Sequence, residues 1–226
     1  MVESDRKSMY PTLKIVDLDI QAYAFDTYDI RIIAFPSNFE IVYEPAQRLS
    51  IHQVGQSFEY RYLVNCSFFE WSGEHAGWLS ILGNNLMPLK QDRQLTHIAI
   101  LNTATGELGF KSAELWKPSM SDKASLEFQT GPLVIQANAF DMPSIHQSIN
   151  GLRSHQRTLL AYTKEDRMKF FIIVRKPERL DKIGEYLLTL SVINLDGGPS
   201  VALDSQAHPE LNHNGHAVLP ILFALR

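Results

Sequence analysis

The stretch that decides the fold is Ser191-Val192-Ile193-Asn194-Leu195-Asp196-Gly197-Gly198-Pro199-Ser200. Its apolar, β-branched start predicts a buried strand, and the carboxylate, glycines and proline that follow predict a turn at the rim of a sheet. The strand would hold the Asp196 carboxyl rigidly, and backbone N–H groups of the glycine pair could face an anion beside it. This pattern suits a site for a charged, oxygen-rich substrate. The alternative is a tight turn in which Asp196 only bonds its own backbone.

The residues upstream predict a hairpin and a helix. Two apolar runs flank a polar turn at 164–167: Arg157-Thr158-Leu159-Leu160-Ala161-Tyr162 and Met168-Lys169-Phe170-Phe171-Ile172-Ile173-Val174. A helix is then predicted from Pro177 to Thr189, because proline suits a first helical turn and leucine and isoleucine recur at helical spacing. The predicted order is therefore hairpin, helix, strand and site turn.

Two further blocks complete a recognisable series. Val64-Asn65-Cys66-Ser67-Phe68-Phe69 ends a predicted buried strand, and Gln129-Thr130-Gly131-Pro132-Leu133 breaks a strand-like run over 126–137. With Arg157-Thr158 and the Asp196 turn, these blocks resemble, in the same order, motifs of the phosphodiester glycosidase domain family. The family pattern has Asn-Gly-Gly-Phe-Phe, Gln-x-Gly-Pro, Arg-Thr and Asn-Leu-Asp-Gly-Gly-Gly-Ser. The resemblance covers the chain from Tyr60 to Arg226.

The resemblance implies an α+β fold, with one domain over 11–226 built from extensive, largely antiparallel sheet with few helices. Alternating strand patterns along the chain favour the same class. It also implies a glycosidase-type hydrolase that cleaves a sugar-1-phosphodiester into a sugar and a phosphate monoester. Bacterial members of the family are linked to exopolysaccharides, so a sugar phosphate or glycan is the expected partner.

Three residues are predicted to carry the chemistry. Arg157 would hold phosphate oxygens with its planar guanidinium. Asp196 would act as nucleophile, general base or metal ligand. Glu70 is the candidate for a second carboxylate, because it directly follows the Phe68-Phe69 pair. The alternatives are that Arg157 pairs with a surface carboxylate and that Glu70 is a solvated charge.

Substrate binding is predicted for residues of the same blocks. Asn65 and Asn194 are expected to orient the substrate or the backbone of the site through hydrogen bonds. The full predicted set comprises Asn65, Phe69, Gln129, Gly131, Asn194, Gly197, Gly198 and Ser200. A polar loop over 138–156, which contains His146, Arg153 and His155, is expected to cover the site.

The chain departs from the family pattern at three positions. Cys66 and Ser67 stand where the family has glycines, and Pro199 stands where it has a third glycine. Proline lacks an N–H, so an anion cradle here would have one donor fewer. These departures motivate an alternative function, a non-catalytic glycan- or anion-binding protein that keeps the family fold.

Other chemistries have weaker support in the sequence. Cys66 could be a nucleophile paired with a histidine, but no local signature accompanies it and burial is the simpler account. His208, His213 and His216 could bind a transition metal, although their spacing matches no standard site. A divalent cation at the Asp196 turn is a further candidate, and no cofactor motif is present. Trp71 and Trp78 beside Glu70 suit either a sugar site or a core.

Composition sets the outer bounds. The 226 residues are 45% hydrophobic with a net charge of −4, which predicts a folded domain and argues against nucleic acid as a partner. Residues 1–10 are polar and predict a disordered tip. No signal peptide or 18-residue apolar run is present, which favours a cytoplasmic protein, or an extracytoplasmic one if a signal has been removed. Nothing in the sequence sets the oligomeric state.

Overall fold

The computed structural model describes the backbone of residues 15–16 and 21–25 and, with side chains, residues 29–35, 39–43, 50–56, 59–163, 168–215, 219 and 221–225. These residues form one α+β domain with three antiparallel sheets and few helices, which confirms the predicted fold class. The predicted tip at 1–10 and His216 lie outside the described residues. None of the helices within the described ranges has the length and hydropathy needed to cross a bilayer.

The elements are as follows, in chain order. The strands are β1 (Ile15–Val16), β2 (Gln21–Phe25), β3 (Ile30–Phe35), β4 (Glu40–Tyr43), β5 (Tyr62–Asn65), β6 (Leu79–Ile81), β7 (Asn84–Met87), β8 (His97–Asn102), β9 (Leu108–Ser112), β10 (Ser125–Thr130), β11 (Leu133–Gln136), β12 (Ala139–Phe140), β13 (His155–Tyr162), β14 (Lys169–Glu178), β15 (Ser191–Asn194), β16 (Leu203–Ser205) and β17 (Ile221–Leu225). The α-helices are α1 (Ile51–Gly55), α2 (Met142–Gln147) and α3 (Leu180–Gly184).

The predicted hairpin is the centre of the largest sheet. β13 and β14 pair antiparallel, from Tyr162 opposite Lys169 to Arg157 opposite Val174. β15, which leads to Asp196, pairs with the other side of β13. The eight strands run in the order β1-β2-β3-β14-β13-β15-β11-β12. The two motif blocks around 157 and 196 therefore lie on neighbouring strands.

Two smaller sheets close the core. One has the order β7-β6-β10-β8-β9 and the other the order β16-β5-β17-β4. Phenylalanines from all three sheets meet between them, with ring centroids 5.1 Å apart for Phe35 and Phe171, for Phe171 and Phe223, and for Phe128 and Phe223. Such ring pairs each add about 0.5–1.5 kcal/mol beyond the area they bury. This shared core fixes the three sheets relative to one another.

The run over 126–137 is two strands rather than one. β10 belongs to the five-stranded sheet and β11 to the eight-stranded sheet, so the chain changes sheet at the cis peptide bond between Gly131 and Pro132. Gly131 has φ +148°, and a Cβ there would lie 2.7 Å from the Gln94 carbonyl oxygen. The predicted break is therefore the junction between two sheets.

The predicted helix over 177–189 is shorter. β14 continues to Glu178 because its residues pair with β13 as far as His155 opposite Glu178, so Pro177 lies in a strand. Only Leu180–Gly184 is helical, and Leu180 and Ile183 pack on the outer face of the large sheet. The loop predicted over 138–156 contains β12 and α2, whose N-cap Asp141 accepts a hydrogen bond from the Ser144 N–H. Helix α1 begins after its N-cap Ser50, which forms a capping box with Gln53.

Candidate functional site

A pocket of about 150 Å³ opens where β13 begins and β15 ends. Its walls come from the Asp196 turn, from the start of β13, from the loop after α2, and from one residue each of the loop after β5 and the loop before β8. The lining residues are Phe68, Gln94, Ser148, Asn150, His155, Arg157, Asn194, Asp196, Gly197, Gly198 and Pro199. Five of the eleven predicted site residues, Arg157, Asn194, Asp196, Gly197 and Gly198, therefore share one pocket.

Asp196 lies in the turn directly after β15. The Gly197 N–H donates to its Oδ1 at 2.8 Å, and its own N–H donates to the Cys66 carbonyl at 3.3 Å. The Asp196 side chain is partly accessible from the pocket, yet surrounding protein atoms exclude most of the water that would solvate its carboxyl group. This desolvation raises its pKa to about 6, against hydrogen bonds from Ser200 and Gly197 that lower it. The carboxyl can therefore gain or lose a proton close to neutral pH.

Arg157 is a buried cation without a buried counter-ion. Its side chain is on the same face of β13 as Leu159, because side chains alternate along a strand, and the residue is only 3% exposed. Nη2 donates to the carbonyl oxygens of Asn150 at 2.7 Å and Arg153 at 2.6 Å, whereas Nε has no hydrogen-bond partner. No carboxylate among the described residues lies within ion-pair distance. Desolvation lowers its pKa to about 10, so it stays charged at neutral pH.

Two more polar atoms at the pocket lack partners. Asn194 donates from Nδ2 to the carbonyl oxygens of Gly131 at 3.0 Å and Leu195 at 2.6 Å, but its Oδ1 is buried and accepts nothing within the described part of the chain. The Nε2 of His155 is likewise buried without a partner. Buried polar groups of native proteins are nearly always hydrogen-bonded. Unpaired atoms grouped at one pocket therefore indicate a ligand site.

The glycine pair shapes the pocket in two ways. Gly197 is extended, and a Cβ there would lie 2.7 Å from the Gln156 carbonyl oxygen, so the turn can approach β13 closely. Gly198 has φ +61°, which disfavours other residues, and a Cβ there would meet no atom within 4 Å. Ser200 is buried, lies outside the pocket lining and acts on the Asp196 carboxyl through its hydroxyl. Pro199 lines the pocket without a donor.

Asn65 acts on the site from outside the pocket. Its Nδ2 donates to the Asp196 carbonyl oxygen at 2.9 Å. Its Oδ1 accepts from the Thr158 hydroxyl at 2.5 Å and the Ala202 N–H at 3.0 Å. The amide is thus occupied by protein groups and holds the Asp196 turn against β13. Of the two roles predicted for Asn65, the structure favours orienting the backbone.

Gln129 and Gly131 lie away from the pocket lining. Gln129 is fully buried, and its Oε1 accepts from the N–H groups of Trp78 at 2.9 Å and Lys90 at 3.0 Å. Its Nε2 donates to the carbonyl oxygens of Lys90 at 2.6 Å and Leu95 at 2.8 Å. These four bonds use the whole capacity of the amide. Both residues lie at the junction between the five-stranded and eight-stranded sheets, where they hold Gln94 and its neighbours near the pocket.

Glu70 and Phe69 are also outside the pocket lining. Glu70 forms an ion pair with Lys90 at the surface, with 44% of each side chain exposed. Phe69 packs beside α1 on the outer face of the four-stranded sheet. Its neighbour Phe68 lines the pocket instead. Adjacent residues of an extended segment point to opposite sides, so Phe68 faces the pocket and Phe69 packs on the other side.

The loop after α2 supplies the residues that sequence reasoning missed. Ser148 and Asn150 line the pocket, together with Gln94, and so does His155, which the predicted cover already included. The predicted cover over 138–156 pointed to this segment, but no motif singled out those members. Gly151 allows the close packing, since a Cβ there would lie 2.0 Å from the Ile145 carbonyl oxygen.

The alternative chemistries have different surroundings. Cys66 is buried, and burial raises the pKa of its thiol well above the ordinary value, which keeps the reactive thiolate scarce. His208 lies 3.3 Å from a Glu210 carboxylate oxygen and stacks beside Tyr62. Across the described ranges, no group of three or more His, Cys, Asp or Glu side chains is placed to hold a metal ion. Trp78 is buried and donates to Glu127 at 3.0 Å, while Trp71 is 98% exposed.

Comparison with known proteins finds structures of similar fold. No protein-family model matches the chain, and no curated protein matches its sequence. The catalytic domain of zebrafish N-acetylglucosamine-1-phosphodiester alpha-N-acetylglucosaminidase, auto-inhibited by its pro-peptide, aligns with a TM-score of 0.66 at 12% identity. The alignment covers 97% of this chain and 85% of that one.

Two bacterial structures are also similar. A hypothetical protein from Synechocystis aligns with a TM-score of 0.62 at 11% identity, over 96% of this chain and 64% of that one, so the present chain spans less than two thirds of it. A protein of Burkholderia pseudomallei inferred to be exported aligns with a TM-score of 0.57 at 10% identity, over 92% and 74% of the two chains. At these identities the likeness is one of fold alone.

Proposed function

We propose that the protein is a hydrolase that cleaves a sugar-1-phosphodiester and releases a sugar and a phosphate monoester. The observation that carries the proposal is that Arg157 and Asp196 line the same pocket. Arg157 is a buried cation with no carboxylate partner among the described residues, and a bound phosphate would supply the missing anion. Asp196 places a titratable oxygen within the same small space.

Arg157 would stabilise the leaving phosphate. Charge develops on the phosphate oxygens as the bond to the sugar breaks, and a guanidinium already fixed in place needs no reorganisation to meet it. The two carbonyl oxygens of Asn150 and Arg153 hold Nη2 in position. A phosphate monoester is a stable anion, so charge stabilisation matters more for this leaving group than protonation.

Asp196 would act as general base. With a pKa of about 6 its carboxyl is mainly ionised at pH 7, yet basic enough to take a proton. Water attacks the anomeric carbon and gives its proton to Asp196. The bond from that carbon to the phosphate oxygen breaks, and its electron pair leaves with the phosphate. Because the leaving group needs no acid, this route does not require a second carboxylate, and Glu70 is not assigned one of these steps.

The fold likeness adds limited support. The zebrafish neighbour is named for hydrolysis of a phosphodiester of N-acetylglucosamine, which is the class of substrate proposed here. One fold carries many activities, so the site has to carry the argument. Export and a role in exopolysaccharide metabolism stay proposals that depend on the family resemblance.

A binding protein without turnover is the second candidate. Pro199 favours it, because this residue lines the pocket and has no N–H to donate to an anion. Such a protein would still use Arg157 to hold a phosphate or an acidic glycan. Catalysis therefore has to be measured separately from binding.

The test is sugar release from an N-acetylglucosamine-1-phosphodiester by the purified protein. We expect Asp196→Asn to lower the rate by about 10²–10⁴-fold, as for loss of a general base, and to keep the affinity for the substrate. Asp122→Asn, at an exposed loop residue, is the matched control and should be unaffected. Binding without any release by the native protein would favour the second candidate. Release that survives in Asp196→Asn would contradict the assigned base.

A further inference from the structure

His155 is a second polar group of the pocket that the proposed reaction does not use. It is the first residue of β13, two positions before Arg157, and a bulge in the pairing with β14 lies between them. Its ring lines the pocket, and its Nε2 is buried without a hydrogen-bond partner. An imidazole nitrogen in this position can accept or donate to a ligand according to its protonation state.

The charges around His155 are unbalanced. Arg157 on its own strand and Arg153 in the preceding loop are both positive. Glu178 is the cross-strand partner on β14, and one of its oxygens accepts the Arg179 N–H at 2.8 Å. Asp196 lies in the wall formed by the site turn. Desolvation, Arg157 and Arg153 each lower the pKa of His155, so the ring is neutral at pH 7 in the free protein.

An anion in the pocket would reverse this balance. Negative charge beside the ring favours its protonated form, and the same charge offsets the two arginines. We propose that the pocket binds the terminal phosphate of its ligand as a dianion, and that His155 takes up one proton from solvent as the anion binds. This inference rests on the proposed function, since it takes the pocket to be the phosphate site.

The proposal identifies the favoured ligand class. A phosphodiester carries one negative charge, whereas a phosphate monoester approaches two near neutral pH. Arg157 and a protonated His155 supply two positive charges against the single negative charge of Asp196, so the added proton favours the more highly charged monoester over the diester. The pocket should therefore hold the phosphate product more tightly than the diester substrate. Because the proton is lost as pH rises, product release should become easier at higher pH.

Sulfate is the probe that isolates the proton taken up by the protein. It stays a dianion over the whole working range, so any proton that accompanies its binding goes to the protein. Calorimetric titration at pH 7 in two buffers with different ionisation enthalpies measures this uptake. We expect about 0.5–1 proton per sulfate for the native protein, as for a histidine whose pKa crosses pH 7. His155→Gln should lose the uptake and bind sulfate about tenfold more weakly.

The control variants separate the possible outcomes. His146→Gln, at an exposed histidine of α2, should keep the native uptake. Uptake that persists in His155→Gln and disappears in Asp196→Asn would place the proton on Asp196 and overturn the proposal. Sulfate binding without proton uptake would also overturn it. The chemical shifts of the His155 ring, followed by NMR in the native protein during the titration, report its protonation even if a variant fails to fold.

Failure of this inference is distinguishable from failure of the proposed function. Sulfate binding that depends on Arg157 but not on His155 overturns only the inference. If sulfate does not bind the native protein, the inference is wrong, and the sugar-release assay decides the proposed function separately. Arg157→Met should abolish sulfate binding, whereas Arg157→Lys should retain part of it because the charge remains.

Discussion

Gln129 and Arg157 are both buried, polar and predicted as site residues, yet their surroundings differ. Every hydrogen-bonding position of the Gln129 side-chain amide is occupied by a backbone group of Trp78, Lys90 or Leu95, so the amide is saturated. Arg157 leaves its Nε without a partner and has no carboxylate nearby in the described part of the chain. A saturated polar group holds the fold together, whereas an unsaturated one beside a pocket is available to a ligand.

The same contrast applies to the two asparagines. Asn65 is saturated and fixes the site turn, and Asn194 keeps its Oδ1 free of protein donors within the described residues. Both belong to predicted motif blocks, so membership of a motif does not separate the two roles. Four predictions challenge or refine this division.

The largest expected effect is on stability, from Gln129→Leu. This change leaves four backbone groups around the junction without a partner, so the free energy of unfolding should fall by about 2–4 kcal/mol. Gln136→Leu, at an exposed glutamine of β11, is the matched control and should change stability little. Denaturant titration of both variants measures this. Equal stabilities for the two would contradict a structural role for Gln129.

The second effect is on the pH dependence of activity. The Asp196 carboxyl must be ionised to act as base, so the rate at saturating substrate should rise with pH through about 6 and level above it. One pH unit below that value, the rate should be about tenfold lower. The rate at saturating substrate, recorded between about pH 4.5 and 8 in steps of roughly half a unit, measures this pH dependence. A flat profile would remove Asp196 from the proton transfer.

The third effect is a gain in stability from Asp196→Asn. Burial raises the folded-state pKa to about 6 from an ordinary value near 3.8, so the folded state binds more protons between these values. The free energy of unfolding should therefore fall as pH rises from about 4 to 6, and it should stay at this lower value at neutral pH. Removing the charge should stabilise the protein at pH 7 by on the order of 1 kcal/mol. Thermal unfolding at pH 4 and pH 7 measures the difference, which should vanish at pH 4.

The smallest effect is expected at Glu70. Its ion pair with Lys90 is exposed, and such pairs contribute about 0–1 kcal/mol. Glu70→Gln should leave sugar release within about twofold of the native rate, because the side chain is outside the pocket lining. A steady-state assay of this variant beside Asp196→Asn measures it. A tenfold loss would return Glu70 to the list of catalytic residues.

Much of the local structure was predictable. The hairpin around 164–167 and the strand before Asp196 both depend on patterns of neighbouring residues. The helix over 177–189 was predicted too long. The spacing of its leucines is helical, but it does not show that pairing with β13 continues β14 as far as Glu178. The break at Gly131-Pro132 in the run over 126–137 was predicted, but a local pattern does not show that the two halves join different sheets.

The sequence by itself determined the α+β class, a carboxylate in a glycine-rich turn after a buried strand, and an arginine at the start of a hairpin strand. These follow from local periodicity and turn chemistry. Only the tertiary structure decided that Arg157, Asp196 and His155 share one pocket, that Glu70 is outside it, and that Gln129 is saturated. Hydrogen-bond saturation and desolvation depend on atoms from distant parts of the chain, so no local pattern contains them.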